Sequence, residues 1–166
     1  KDEATELSNL FNTRGYKTIS LTGENTEAQR RDAMNRLESD DLVNCLDYIF
    51  TVDIFNEGID IPKVNQVIML RPTESAIVFV QQLGRGLRKD PSKEYVVIID
   101  FIGNYEKNFL IPIALSGSLS YNKDTLRRFV SEGSLIIPGA STVNFDLISK
   151  KKIFESIDKA NFSDIK

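Results

Sequence analysis

Three near-continuous apolar runs constrain the fold most: DYIFTV at 47–52, VNQVIML at 64–70 and YVVIID at 95–100. A strand with one wet face alternates apolar and polar residues, whereas a strand covered on both faces does not, so these runs read as parallel strands between helical layers. Parallel neighbours need crossover connections, and helical spacing precedes the first run and recurs between the second and third. Residues 2–13 place Ala4, Leu7, Leu10 and Phe11 on one helical face, with Gly15 available as the carboxyl cap. A short strand follows at 16–22, then the turn Thr22-Gly23-Glu24-Asn25. The next helix starts near Thr26, whose spacing to Gln29 is that of a capping box; Ala33, Met34 and Leu37 form its buried stripe, and Arg30, Arg31 and Arg36 its wet face. A shorter helix is expected at 75–83. Strands alternating with helices give an open, mostly parallel α/β sheet.

Beyond residue 103 the pattern changes. Residues 104–115 and 122–132 read as helices, 135–145 as a short strand or hairpin around Pro138-Gly139, and 150–159 as a basic amphipathic helix. This mainly helical extension, 104–166, is either a cap on the sheet or the start of a further domain. It carries no chemical motif, and the Lys150-Lys151-Lys152 run reads as a solvated helix face rather than a nucleic-acid site.

Chemistry concentrates in two stretches, TVDIFNEGIDIP at 51–62 and QQLGRGLRK at 81–89. The first is a strand breaking into a loop with Glu57, Gly58 and Asp60. The second closes a helix with Arg85 and Arg88, and Gln81, Arg85 and Arg88 share one face if the helix continues. Loops at the carboxyl ends of parallel strands converge, so Gly58, Asp60, Arg85 and Arg88 are expected to line one crevice suited to a nucleotide phosphate. Taken singly, the arginines would be a solvated helix end, and Gly58 and Asp60 a plain turn.

In this order the two stretches resemble motifs V and VI of the superfamily-two helicases and translocases, and the longer run resembles DEAD/DEAH-type bacterial helicases related to restriction-enzyme motor subunits. The resemblance covers about residues 1–103. It implies a RecA-like three-layer domain whose first strand, carrying motif IV, precedes this chain. It implies further that Arg85 and Arg88 act as arginine fingers toward ATP, with Gln81, Gly58, Asp60 and Glu57 in the ATP-binding set. Thr22, Gly23 and Thr51 are its candidates for contact with the sugar-phosphate backbone. Many family members carry the motif V hydroxyl immediately before the aspartate, where this chain has Val52, so Thr51 faces the opposite side of the strand from that hydroxyl.

No G-x-x-x-x-G-K-[ST] loop and no Asp-Glu pair at a strand end occurs, so ATP and Mg2+ are expected to be held by an upstream RecA-like domain of the same polypeptide. The partner nucleic acid is expected to be single-stranded or duplex DNA, with RNA the near rival. A non-hydrolysing binding module on the same fold is the rival from another class.

The hydrophobic fraction of 41% and charged fraction of 27% are ordinary for one globular domain. With no histidine, histidine triads and histidine-ligated zinc are excluded, and no other metal ligand set is visible. The single cysteine, Cys45, permits no intrachain disulfide, so a reducing cytoplasm is expected; no apolar run suits a membrane span. The net charge of -3 is unevenly spread: residues 1–60 hold six basic and thirteen acidic side chains, residues 61–166 fifteen and eleven. A local basic face is thus compatible with the acidic total.

Overall fold

The computed structural model describes residues 2–52, 61–70, 90–101, 107–116, 121–132 and 142–161. In chain order these form α1 (Asp2–Thr13), β1 (Thr18–Leu21), α2 (Glu27–Leu37), β2 (Tyr48–Thr51), β3 (Gln66–Met69), β4 (Val97–Asp100), α3 (Leu110–Ser116), α4 (Lys123–Glu132) and α5 (Leu147–Lys159). The architecture is α/β, and both strand pairs, β1–β2 and β3–β4, are parallel. The chain divides into two compact units, Lys1–Asn65 with Gly84–Val96 and Gln66–Leu83 with Val97–Lys166.

In the first unit, β1 and β2 run in register from Thr18 opposite Tyr48 to Leu21 opposite Thr51. Asp47 fixes the amino-terminal end, its Oδ2 accepting from the Lys17 N–H at 2.7 Å while its own N–H donates to the Lys17 carbonyl at 2.8 Å. One sheet face is apolar: Leu21 and Ala33 are fully buried with Leu46, and Ile19, Leu37 and Ile49 pack around them. This core seats α2, whose first turn is closed by the expected capping box, Thr26 accepting from the Gln29 N–H and Gln29 from the Thr26 N–H.

The other face, under α1, is polar and aromatic. Ser8 and Thr18 hydroxyls lie 2.9 Å apart and those of Thr5 and Ser20 3.2 Å apart, while the Phe11 ring sits 5.1 to 5.8 Å from Tyr16, Tyr48 and Phe50. The expected stripe is therefore corrected. Ser8 is buried beside Ala4, and Leu10 is 47% exposed, because hydroxyls on β1 need hydroxyl partners from the helix. Gly15 ends α1 with φ 91, a left-handed conformation that glycine adopts without strain.

In the second unit, Val67, Met69 and Ile98 on one face of β3–β4 pack with Phe109, Ile111, Ile113, Leu126, Val130, Ile153 and Ile157. The three C-terminal helices thus share a core with these strands. The opposite face departs from expectation: Ile68, Val97 and Ile99 are 38 to 40% exposed, so among the described residues the pair is covered on one side.

Two helix boundaries also differ from the sequence reading. The helix expected from residue 104 begins at Leu110, which places Pro112 in its first turn, where its missing N–H costs nothing; a start at 104 would put it in the interior. The helix expected from residue 150 begins at Leu147, because the Asp146 carboxylate accepts from the N–H groups of Ile148 and Ser149 at 2.8 and 3.0 Å. The hairpin expected at 135–145 falls largely outside the described residues, and 142–146 form no strand.

Candidate nucleic-acid interface

Leu21 opposite Thr51 makes β1 and β2 end level, so the turn after β1 and Thr51 share the carboxyl edge of the pair. Thr51 is half-buried and lies on the sheet face of Leu21 and Ile49, the α2 side. The structure thus brings together three residues singled out from sequence, Thr22, Gly23 and Thr51.

The turn is built by Asn25. Its Oδ1 accepts from the Thr22 N–H at 2.7 Å, and its N–H donates to the Thr22 carbonyl at 3.1 Å. The Thr22 hydroxyl accepts from the Glu24 N–H at 3.3 Å and lies 3.4 Å from Asn25 Oδ1, so it acts inside the turn. Gly23 is exposed, and a Cβ built there would meet nothing within 4 Å.

The wet face assigned to α2 is corrected at two of its three arginines. Arg31 is exposed, whereas Arg30 and Arg36 are half-buried and donate to backbone carbonyls: Arg30 Nη2 to Gly23 at 3.2 Å, Arg36 Nε to Asn44 at 3.0 Å. A guanidinium on a long stem reaches past the helix edge to carbonyls that loops leave unpaired. Asn25 and Arg30 are the members of this site that sequence reasoning missed. Asn25 was visible as a turn former, but nothing in the pattern aims it at Thr22, and Arg30 is indistinguishable in sequence from its exposed neighbour Arg31.

Glu57, Gly58, Asp60, Gln81, Arg85 and Arg88 lie outside the described residues. Among the described residues no group of three or more metal-ligating side chains is gathered, and no helix is long and apolar enough to cross a membrane.

Residues 1–90 match the model of the helicase conserved C-terminal domain. The chain is 34% identical over 106 residues to IRC3 of Saccharomyces cerevisiae, by name an ATP-dependent helicase, covering 62% of this chain and 14% of that protein. It is 30% identical over 105 residues to MJ1505 of Methanocaldococcus jannaschii, by name an ATP-dependent RNA helicase, covering 59% of this chain and 13% of the relative. It is also 30% identical over 88 residues to the ATP-dependent RNA helicase SrmB of Haemophilus influenzae, covering 53% of this chain and 19% of the relative. The chain therefore spans less than a fifth of each of these relatives. The matched span contains the turn after β1, both signature stretches and the β1–β2 pair, and the parallel α/β architecture is that of a RecA-like domain. This chain belongs to the helicase C-terminal domain family of superfamily two.

Proposed function

We propose that the chain is the second motor domain of an ATP-dependent DNA helicase or translocase. The observation that carries this reading is the family match over 1–90, a span that includes NEGIDIP and QQLGRGLRK in order. ATP with Mg2+, held by an upstream RecA-like domain of the same polypeptide, supplies the phosphoryl group. Arg85 and Arg88 meet the charge that spreads over its oxygens, because a planar guanidinium contacts two oxygens at once. Gln81, Gly58 and Glu57 line the same cleft, and Asp60 accepts from ribose hydroxyls. Thr22, Gly23 and Thr51 form one side of the strand track, contacting sugar-phosphate without reading bases.

In this reading residues 1–103 are the motor domain. The packing of Phe109, Leu126 and Ile153 around Met69 and Ile98 supports taking 104–166 as a cap on it. The single cysteine fits a reducing cytoplasm. RNA is the second reading, favoured by the names of the Methanocaldococcus and Haemophilus relatives.

The test is ATP hydrolysis by the full-length polypeptide with no nucleic acid, with single-stranded DNA and with single-stranded RNA. Stimulation by DNA supports the first reading and stimulation by RNA alone the second. Hydrolysis absent in all three leaves only a non-hydrolysing binding module.

A further inference from the structure

Each signature stretch leads into a closed turn of described residues, and both turns belong to the first compact unit. TVDIFNEGIDIP ends in the turn at 61–64, where the Val64 N–H donates to the Ile61 carbonyl at 3.2 Å. QQLGRGLRK is followed by the turn at 90–93, where the Lys93 N–H donates to the Asp90 carbonyl at 3.2 Å. The Asp90 carboxylate closes that turn further, accepting from the Ser92 N–H at 2.8 Å and from the Ser92 hydroxyl.

Two lysines tie these turns down. Lys63 fastens the first to the end of α2: its N–H donates to Glu38 Oε1 at 3.1 Å and its Nζ to the Glu38 carbonyl at 3.0 Å, with Asp40 Oδ2 at 3.6 Å. Lys93 fastens the second turn to the first, its Nζ donating to the Val64 carbonyl at 2.8 Å across 29 residues of sequence. That bond is partly buried and Lys93 itself half-buried, unlike a lysine whose ammonium stays in water. The Asp90 carboxyl is held below the ordinary carboxylate range by Ser92 and further by the charges of Lys63 and Lys93, so both ammonium groups stand near the second turn.

Chain length carries this clamp toward the chemistry. Arg88 is two residues from Asp90 and Asp60 two residues from Pro62, and two residues span at most about 7 Å. A shift of the 90–93 turn away from the 61–64 turn therefore reaches Arg88 with little slack. We infer that Lys93 is a positioning residue for phosphoryl transfer: by holding the 90–93 turn on the Val64 carbonyl, it sets where Arg88 stands relative to the segment carrying Asp60. Lys93 has this role only if Arg88 has the one proposed for it above, and it acts through the chain without touching nucleotide.

The experiment is steady-state ATPase of the full-length polypeptide at saturating nucleic acid, with a melting curve for every variant. Lys93→Met keeps most of the aliphatic stem and loses the donor; Lys93→Gln serves as a second variant if Met lowers the melting temperature. The expected result is a kcat lower by about ten- to a hundredfold, the scale on which a displacement of about 1 Å slows a positioned reaction. KM for ATP stays at the wild-type value, because Lys63 still holds the first turn. Lys93→Arg keeps a donor on a long stem and recovers most of the rate, and Lys151→Met, exposed on α5, keeps the wild-type kcat. In an Arg88→Ala background, Lys93→Met lowers kcat by less than about twofold more, because nothing is left to position. Wild-type kcat in Lys93→Met, or losses that multiply in the double variant as a merely structural role requires, overturns the inference and leaves the arginine reading intact while Arg88→Ala alone is slow. Wild-type kcat in Arg88→Ala removes the arginine reading and the role of Lys93 with it.

Discussion

Leu21 on β1 lies directly opposite Thr51 on β2, and this one pairing makes the two strands end level. It places the turn after β1 and Thr51 on one edge of the strand pair. The chain leaves β1 into the Thr22–Asn25 turn, re-enters helix at Glu27, and returns so that Thr51 stands on the same edge and the same face as the core under α2. Asn25 and Arg30 hydrogen-bond the turn, and a capping box closes the start of α2.

Thr26→Ala removes the acceptor for the Gln29 N–H and is expected to cost about 1 kcal/mol, with Thr26→Ser close to wild type. Urea denaturation followed by circular dichroism measures both. Equal midpoints for Ala and wild type would show that the box contributes nothing.

The second unit makes a contrast between two isoleucines on α5. Ile153 is fully buried against the β3–β4 face, and its replacement by alanine is expected to cost about 2–5 kcal/mol. Ile148, 70% exposed at the start of the helix, is expected to change stability by less than about 0.5 kcal/mol. Similar denaturation midpoints for the two variants would contradict a core shared by the strands and the C-terminal helices.

Acid sensitivity is expected at two loop aspartates. The Ser149 hydroxyl and the N–H groups of Ser149 and Ile148 hold the Asp146 carboxyl below the ordinary carboxylate range, and the Val43 N–H with the Asn44 side chain does the same for Asp41. A carboxyl with a lowered pKa in the folded state adds stability that is fully present above its unfolded pKa and lost as pH falls through the folded one. The melting temperature should therefore be insensitive to these groups near neutrality and fall below the ordinary carboxylate range. Asp146→Asn keeps a good cap but cannot titrate, so its acid slope should be shallower. An unchanged slope in that variant would remove Asp146 from the account.

Much of this was legible in the sequence, for reasons that can be assigned residue by residue. The Thr26–Gln29 box needs only local spacing and was read correctly, as was the α/β order, since strand and helix periods differ. The start of α3 differs because apolar spacing extends upstream of Leu110 while Pro112 suits only a first turn, and that of α5 because the cap is set by the Asp146 carboxylate rather than by the lysine run. The buried Ser8 and inward Arg30 were hidden for a deeper reason. Their partners, Thr18 and the Gly23 carbonyl, are set by tertiary packing, and a hydrophobicity pattern places every polar side chain in water.

The central claim is that Arg85 and Arg88 stabilise charge that develops chiefly during phosphoryl transfer. Steady-state ATPase of the full-length polypeptide at saturating nucleic acid tests it most directly, comparing wild type with Arg85→Ala, Arg88→Ala, the two lysine variants and Asp60→Ala. Loss of an arginine finger costs on the order of 10³ to 10⁵ in rate, so kcat should fall at least about 100-fold in either alanine variant with a smaller change in KM for ATP. Lysine keeps the charge without the planar fork and should rescue poorly. Asp60→Ala should instead raise KM more than it lowers kcat, since a ribose contact is equal in ground and transition states. Near-wild-type kcat in both Arg85→Ala and Arg88→Ala would reduce the pair to a solvated helix end and contradict the motor assignment.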